Sequence, residues 1–308
     1  MKVFFLELLI TKYCNQKCSY CDVYPTTKFK NEVEVEVDID FLNTVLKYFD
    51  YSNMFIELCG GEPGCVQNLD EVFKVLYNHK NVKGIQIMSN GLVRKKGYDW
   101  LTDNKVIYNE HLVKYIDGTN IVKFYEELDF EKFNNRRYVI VTTEKTIDSL
   151  LNNYQYFEKI GMFDEIFWYK ILIDKTFSID GFYNKLKEFY NKINHKDSQY
   201  HLERIQYFLD GKDCNISKKA LCAINSPQPG IDFETKEILH CSAFVNKTDR
   251  VNFNNINCQK VLDMELFNLR DYCKTCYVFD WTDKKIKCII AKNKGIYTNR
   301  SYWYEKFE

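Results

Sequence analysis

Residues 11–21 are Thr11-Lys12-Tyr13-Cys14-Asn15-Gln16-Lys17-Cys18-Ser19-Tyr20-Cys21, which places three cysteines within one short loop. The loop follows an apolar run, Val3 to Ile10, that predicts a buried strand. Three thiolates so close together converge on one point, as an iron–sulfur cluster requires, whereas zinc prefers a closed set of four ligands. Such a loop leaves one iron of a four-iron cluster without a protein ligand, and that iron can bind a substrate or cofactor.

The composition bounds the class of protein. The 308 residues suffice for one large domain or for a large and a small one. Lys and Arg number 43 and so do Asp and Glu, and this balance argues against nucleic acid as a partner. The sequence has no apolar run long enough to cross a membrane. Twelve cysteines without a secretory signal indicate metal or cluster ligation in a reducing cytoplasm.

Apolar strand-like runs alternate with amphipathic helical stretches over the first two thirds of the chain. This alternation predicts an α/β fold with a parallel sheet, in the form of a partial β/α barrel whose ligand site lies at the carboxyl ends of the strands. We predict helices at Asp38–Tyr51, Leu69–Tyr77 and Ile179–Ile193, and strands at Met54–Leu58, Ile85–Met88, Leu112–Gly118, Tyr138–Thr142 and Glu165–Ile173. The alternation stops after about residue 205, so we place a domain boundary near Asp210, giving domains 1–210 and 211–308.

Two short polar runs follow predicted strands. Gly60, Gly61, Glu62 and Pro63 end the second strand, where the glycines let a ligand approach the backbone and Glu62 adds a negative charge. The pair Ser89-Asn90 ends the third strand, in a position suited to hydrogen bonds with a ribose or a carboxylate. Taken alone, either run is also typical of an ordinary turn.

A second group of cysteines lies late in the chain, at Cys222, Cys241, Cys273 and Cys276. The first two flank a predicted hairpin over residues 230–240. Four thiolates make a closed site that suits either an iron–sulfur cluster or zinc.

The other cysteines, Cys59, Cys65, Cys214, Cys258 and Cys288, are by default small buried hydrophobic residues. Cys65 differs because it follows the double-glycine run and should lie near the mouth of the barrel. A thiol there could donate a hydrogen atom to a substrate radical, as an epimerase requires.

The spacing of Cys14, Cys18 and Cys21, with the aromatic Tyr20 before the third cysteine, resembles the signature of the radical SAM superfamily. The resemblance implies a [4Fe-4S] cluster whose open iron is chelated by S-adenosyl-L-methionine. In that family, one-electron cleavage of the sulfonium releases a 5′-deoxyadenosyl radical that abstracts hydrogen from an unactivated carbon.

The same resemblance implies roles for the two polar runs. A Gly-Gly-Glu-Pro element in this place binds the amino group of the methionine moiety, which assigns that role to Gly60, Gly61 and Glu62. Ser89 and Asn90 resemble a Thr/Ser-Asn-Gly element that contacts the same cofactor.

The late cysteines resemble the twitch subdomain, a short form of the SPASM extension. That resemblance implies one auxiliary [4Fe-4S] cluster held by Cys222, Cys241, Cys273 and Cys276. The expected architecture is therefore a partial (β/α)6 TIM-like barrel followed by a small cysteine-rich twitch-like domain.

We therefore expect a radical SAM enzyme that modifies a ribosomally synthesised peptide, because much of the SPASM/twitch group acts on peptides. The alternative is radical oxidation or epimerisation of a small sugar or alcohol. A zinc-binding interaction protein without catalysis is the alternative of another class. The resemblance implies an electron donor such as flavodoxin or ferredoxin, and the early position of the cysteine loop predicts a separate leader-peptide-binding protein.

Overall fold

The chain contains two compact units. The computed structural model describes residues 3–16, 18, 28–29, 35–50, 53–112, 122–123, 126, 136–139, 144–159, 179–193, 230–239 and 251–253. The first unit contains Met1–His111, Phe130–Arg137 and Pro227–Asn268, and the second contains Leu112–Asp129, Tyr138–Ser226 and Leu269–Glu308.

The described secondary structure alternates between strands and helices. The strands are β1 (Val3–Thr11), β2 (Tyr13–Cys14), β3 (Lys28–Phe29), β4 (Asn53–Gly60), β5 (Val82–Ser89), β6 (Val106–His111), β7 (Arg136–Val139), β8 (Gly230–Asp232), β9 (Glu237–Leu239) and β10 (Val251–Asn252). The helices are α1 (Ile39–Tyr48), α2 (Leu69–Asn78), α3 (Leu92–Lys96), α4 (Glu144–Asn152), α5 (Tyr154–Lys159) and α6 (Ile179–Ile193). Two 3-10 turns occupy Pro63–Cys65 and Asp99–Thr102. No helix among the described residues is both long and apolar enough to cross a bilayer.

The main sheet of the first unit has the strand order β10-β9-β8-β1-β4-β5-β6. Strand β1 is parallel to both β4 and β8, β5 is parallel to β4 and β6, and the β8–β9–β10 end is antiparallel. Parallel strands joined by crossover helices bring their carboxyl ends to one edge of the sheet. The predicted α/β fold with a parallel sheet is therefore confirmed.

One face of this sheet carries the hydrophobic core. Alternate residues of β1, such as Leu6, Leu8 and Ile10, pack with those of the neighbouring strands and with the apolar sides of α1 and α2. Helix α1 begins where predicted, because the Asp38 carboxylate accepts a hydrogen bond from the Phe41 amide at 2.9 Å. The core thereby fixes the direction in which the strands run towards their polar carboxyl ends.

The strand beside β5 differs from the prediction. We expected the fourth strand at Leu112–Gly118, but the sheet continues with β6 at Val106–His111. The apolar run at the start of β6 is only three residues long, and the buried polar residues Asn109 and Glu110 interrupt its pattern. Residues 113–118 and the predicted strand at residues 165–173 lie outside the described residues.

The predicted hairpin over residues 230–240 is present as β8 and β9. Its turn contains Lys236 with a φ of 55°, in the left-handed region where glycine is usual. Strand β8 pairs with β1 and belongs to the first unit, although it lies within the segment 211–308 that we predicted to form a separate domain. The boundary near residue 210 stays a prediction.

A buried ion pair fastens this hairpin to the start of the cysteine loop. Lys12 Nζ lies 2.8 Å from the Asp232 carboxylate, whose side chain is fully buried. The Lys12 amide also donates to Glu234 Oε1 at 3.3 Å. Both charges are removed from water. Losing one partner would therefore leave the other charge buried and unpaired, at a high cost in folding free energy.

We predict that Lys12→Met lowers the free energy of unfolding of the metal-free protein by about 3 kcal/mol, because Asp232 then keeps a buried charge without this lysine. The matched control is Lys74→Ala, which removes an exposed pair with Asp70 on α2. It should change stability by about 0.5 kcal/mol or less. Chemical denaturation measures both variants, and equally small losses would contradict a structural role for the Lys12 pair.

Candidate active site

The cysteine loop begins where β1 ends. Its first cysteine, Cys14, lies on β2, which pairs in parallel with β3, so residues 13–14 lie beside residues 28–29. Neither Cys14 nor Cys18 forms a disulfide bond with a described residue. Gln16 lies between them. Its backbone amide donates to Cys14 Sγ at 3.4 Å, and its side-chain Oε1 accepts from Cys18 Sγ at 3.9 Å. Cys21 and Tyr20 lie outside the described residues.

Two features of this loop fit a metal cluster. Burial raises the pKa of the Cys14 thiol to about 12, and the nearby negative charge of Glu62 adds to this effect. A thiolate therefore needs a compensating cation, which a cluster's iron supplies. The buried Gln16 Nε2 has no hydrogen-bond partner in the described part of the chain, and a cluster sulfide beside it would accept that donor. The described donor set therefore fits an iron–sulfur cluster.

Gly60 and Gly61 bring the end of β4 against the cysteine loop. The Gly61 amide donates to the Thr11 carbonyl and the Glu62 amide to the Tyr13 carbonyl, both at 2.7 Å. A Cβ atom on Gly60 would lie 2.2 Å from the Thr11 oxygen, and one on Gly61 would lie 2.1 Å from the Tyr13 oxygen. Gly60 also has a φ of 130°. Only glycine permits this approach at either position.

The Glu62 carboxylate joins the carboxyl ends of β4 and β5. Its side chain is 1% exposed, and its Oε1 accepts from the Gly64 amide and the Ser89 hydroxyl, both at 2.8 Å. Its Oε2 accepts a hydrogen bond from the backbone amide of Asn90 at 2.6 Å. Burial raises the pKa of Glu62 to about 7, while these three donors act in the opposite direction.

Ser89 and Asn90 connect this carboxylate to other parts of the site. The Ser89 hydroxyl accepts from the amides of Gly91 and Val93 at the start of α3, while its own hydrogen goes to Glu62. Asn90 Nδ2 donates to Asn15 Oδ1 at 2.8 Å and lies 3.7 Å from Cys14 Sγ. Asn90 therefore links the end of β5 to the cysteine loop.

Cys65 ends the 3-10 turn that follows Glu62, and its amide donates to the Glu62 carbonyl at 2.9 Å. Its thiol is half-buried. Burial raises the pKa of Cys65, and the charge of Glu62 raises it further. The sulfur therefore keeps its hydrogen at neutral pH, as a hydrogen-atom donor must.

Those predicted catalytic and cofactor-binding residues that the structure describes lie near one another. Cys14, Cys18, Gly60, Gly61, Glu62, Cys65, Ser89 and Asn90 all lie in the first unit, at the carboxyl ends of β1, β4 and β5. The predicted auxiliary ligands lie outside the described residues, so these assignments stay predictions: Cys222, Cys241, Cys273 and Cys276.

Sequence reasoning missed two features of this region. The Lys12–Asp232 pair joins residues more than two hundred positions apart, and no local pattern indicates it. Acidic residues inside apolar strands were a usable signal, because Glu7 and Glu57 interrupt the runs of β1 and β4. They lie on the face of the sheet opposite the core.

Comparison with curated proteins gives partial matches. No known family profile matches the chain. It is 30% identical over 95 residues to the GTP 3′,8-cyclase of Helicobacter pylori (strain HPAG1) and 27% identical over 97 residues to that of Vibrio atlanticus (strain LGP32). These matches cover 30% and 31% of this chain, and the chain spans only 29% of each cyclase.

Solved structures match almost the whole fold. Native anSMEcpe with bound AdoMet (S-adenosylmethionine) superposes with a TM-score of 0.62 at 16% identity, over 99% of both chains. Streptococcus suis SuiB bound to its precursor peptide SuiA superposes with a TM-score of 0.61 at 15% identity, over 92% of this chain and 70% of SuiB.

The parallel sheet and the polar edge at its carboxyl ends define an α/β protein with a TIM-like fold. Both anSMEcpe and SuiB are radical SAM enzymes, as the cyclases are. The chain therefore shares the fold of these radical SAM enzymes, as the resemblance of its cysteine loop led us to expect.

We predict that Gly61→Ala disrupts the site, because its Cβ would meet the Tyr13 carbonyl and push the end of β4 away from the cysteine loop. After anaerobic reconstitution, this variant should retain less iron than the wild type and bind S-adenosylmethionine about tenfold more weakly, or worse. Iron analysis and equilibrium binding measure the two effects.

The matched control is Gly97→Asn. Gly97 also has a positive φ, but nothing lies within 4 Å of a Cβ there, and asparagine tolerates the left-handed region. This control should bind iron and S-adenosylmethionine like the wild type. If Gly61→Ala retained iron and bound S-adenosylmethionine like the wild type, the close approach of β4 to the Tyr13 carbonyl would be contradicted.

Proposed function

We propose that this protein is a radical SAM enzyme whose catalytic cluster is held by Cys14, Cys18 and Cys21. The observation that carries the proposal is the link from Glu62 through Asn90 to the cysteine loop. This link gathers the ends of three parallel strands around one point. The radical SAM fold supports the same conclusion.

Each side chain has a distinct task in this proposal. The backbone edge at Gly60 and Gly61 receives the amino group of S-adenosylmethionine, a role that rests on the resemblance of the Gly-Gly-Glu-Pro element. The missing Cβ atoms themselves make room for the Thr11 and Tyr13 carbonyls of the cysteine loop. Glu62 belongs to the same Gly-Gly-Glu-Pro element and shares its role in binding the amino group. Its carboxylate also positions the Ser89-Asn90 loop. Asn90 contacts the ribose or carboxylate of the same cofactor, and Ser89 supports it through its hydrogen bonds to Glu62 and to the start of α3. Tyr20 completes the cysteine signature.

When bound, the cluster and S-adenosylmethionine supply a 5′-deoxyadenosyl radical that removes a hydrogen atom from a substrate carbon. The surrounding residues orient the reactants and exclude water. An auxiliary [4Fe-4S] cluster at Cys222, Cys241, Cys273 and Cys276 would shape the substrate pocket or accept the electron left on an oxidised substrate.

For the substrate, we favour a ribosomally synthesised peptide. The support is the fold shared with SuiB, whose structure contains its precursor peptide. A separate protein would recognise the leader of that peptide, and flavodoxin or ferredoxin would supply the electron. Oxidation or epimerisation of a small sugar or alcohol is the alternative, and the partial match to the cyclases for GTP, itself a small molecule, keeps it open.

We predict about eight irons per reconstituted chain, with absorbance near ~400 nm, if two cubane clusters form. Replacing Cys14, Cys18 and Cys21 by Ala should remove about four irons and all 5′-deoxyadenosine formation. Replacing the four late cysteines should remove the other four. A colourless zinc protein that never cleaves S-adenosylmethionine would contradict the proposal and favour an interaction protein. Candidate peptides and sugars, tested for 5′-deoxyadenosine formation, separate the two substrate classes.

A second prediction concerns Cys65 as the hydrogen donor of an epimerase. Cys65→Ala should leave cleavage of S-adenosylmethionine intact but abolish inversion of the substrate carbon, because no S–H then quenches the substrate radical. The control is Thr44→Ala, an exposed change on α1, which should leave both cleavage and inversion unchanged. Unchanged turnover and product stereochemistry in Cys65→Ala would remove Cys65 from the mechanism.

A further inference from the structure

The face of the sheet opposite the core carries a group of polar residues that the proposed cofactor site does not use. Strand register aligns Glu7 with Glu57 and Glu57 with Gln86. Asn109 is aligned with Met88, two residues beyond Gln86 and therefore on the same face. We name this group the inner polar patch, and its members are Glu7, Glu57, Cys59, Gln86 and Asn109.

The patch gathers two carboxylates at close range. The ligand atoms of Glu7, Glu57 and Cys59 all lie within 4.8 Å of one another. Gln86 Nε2 donates to Glu57 Oε2 at 2.6 Å, and the side chains of Glu57 and Gln86 are largely buried. Like charges this close favour the binding of a cation between them, and burial strengthens that attraction.

Both an ammonium and a metal ion fit within this spacing, and they differ in how far apart they hold their ligands. A nitrogen at 2.8 Å from each of three acceptors, in tetrahedral directions, holds those acceptors about 4.6 Å apart. Zinc, with bonds of about 2.0–2.3 Å, draws its ligands to within about 3.8 Å of one another.

Asn109 is an independent sign of a ligand. Its side chain is fully buried, yet neither Oδ1 nor Nδ2 has a hydrogen-bond partner among the described residues. A buried side-chain amide without hydrogen-bond partners lowers the stability of the fold. Native proteins keep such a group where a ligand or water supplies the missing hydrogen bonds. A peptide group offers the complement, because its N–H meets Oδ1 and its carbonyl meets Nδ2.

We propose that the inner polar patch is a substrate subsite that binds a peptide segment through a primary amine, as in a lysine side chain. Glu7 and Glu57 accept hydrogen bonds from the ammonium, and Asn109 binds an adjacent peptide group. This inference rests on the proposed radical SAM function, whose substrate class it narrows.

The position of the patch suits substrate anchoring. Glu57 precedes Gly60 by three residues on β4, a separation of about 10 Å along the strand. A peptide segment bound there through its lysine lies within about 10 Å of the cofactor end of the sheet. The patch thus anchors the substrate without occupying the proposed place of S-adenosylmethionine.

The test uses the reconstituted full-length protein and two matched probes, N-acetyl-lysine N-methylamide and its norleucine analogue, which lacks the ammonium. Ligand-observed NMR measures the dissociation constants. We expect the lysine probe to bind about tenfold more tightly, and Glu57→Gln or Glu7→Gln to abolish this preference. Glu71→Gln, an exposed change on α2, is the control and should preserve it.

A second comparison tests Asn109 with n-butylammonium, which has the amine but no amide. The wild type should bind the lysine probe more tightly than n-butylammonium, and Asn109→Leu should remove that difference. This variant replaces an unpaired buried amide by an apolar group of similar size, so we expect it to fold.

Equal binding of the lysine and norleucine probes by the wild type would overturn the inference without recourse to any variant. A zinc or iron ion retained at Glu7, Glu57 and Cys59, and lost in Glu57→Gln, would also overturn it. Cleavage of S-adenosylmethionine by the reduced wild type without substrate reports separately on the proposed function. Amine binding without that cleavage would support the subsite and refute the radical chemistry.

Discussion

The site depends on one buried carboxylate. Glu62 accepts hydrogen bonds from its own turn at Gly64 and from Ser89 and Asn90 at the end of the neighbouring strand. Hydrogen bonds to a charged group contribute about 1.5–3 kcal/mol each, and they offset only part of the burial, which still raises the pKa of this acid to about 7. Without this acceptor, three donors near the candidate site would lose their partner.

The same turn also holds the cysteine loop. Backbone hydrogen bonds from Gly61 and Glu62 to the Thr11 and Tyr13 carbonyls fix the start of the loop, and Asn90 reaches the sulfur of Cys14. The loop, the double glycine and the Ser89-Asn90 pair thus form one assembly held by hydrogen bonds between protein groups. Such preorganisation lowers the cost of ordering the site on binding.

Local patterns predicted the α/β class, the first helices and strands, and the residues at the strand ends. They succeeded because apolar periodicity and glycine pairs are local signals. They misplaced the strand beside β5, since Asn109 and Glu110 are polar yet buried. The role of Glu62 in positioning was not predictable, because Ser89 and Asn90 are 27 and 28 residues away. Nor did the late hairpin indicate its pairing with β1 or the long-range Lys12–Asp232 ion pair that accompanies it.

The most direct test of the central role of Glu62 is a double-mutant cycle between Glu62→Gln and Ser89→Ala, with the free energy of S-adenosylmethionine binding to reconstituted protein as the readout. If the carboxylate acts by holding the Ser89-Asn90 loop, the two losses overlap, with a coupling energy of about 1 kcal/mol or more. Losses that add to within about 0.3 kcal/mol would contradict that role.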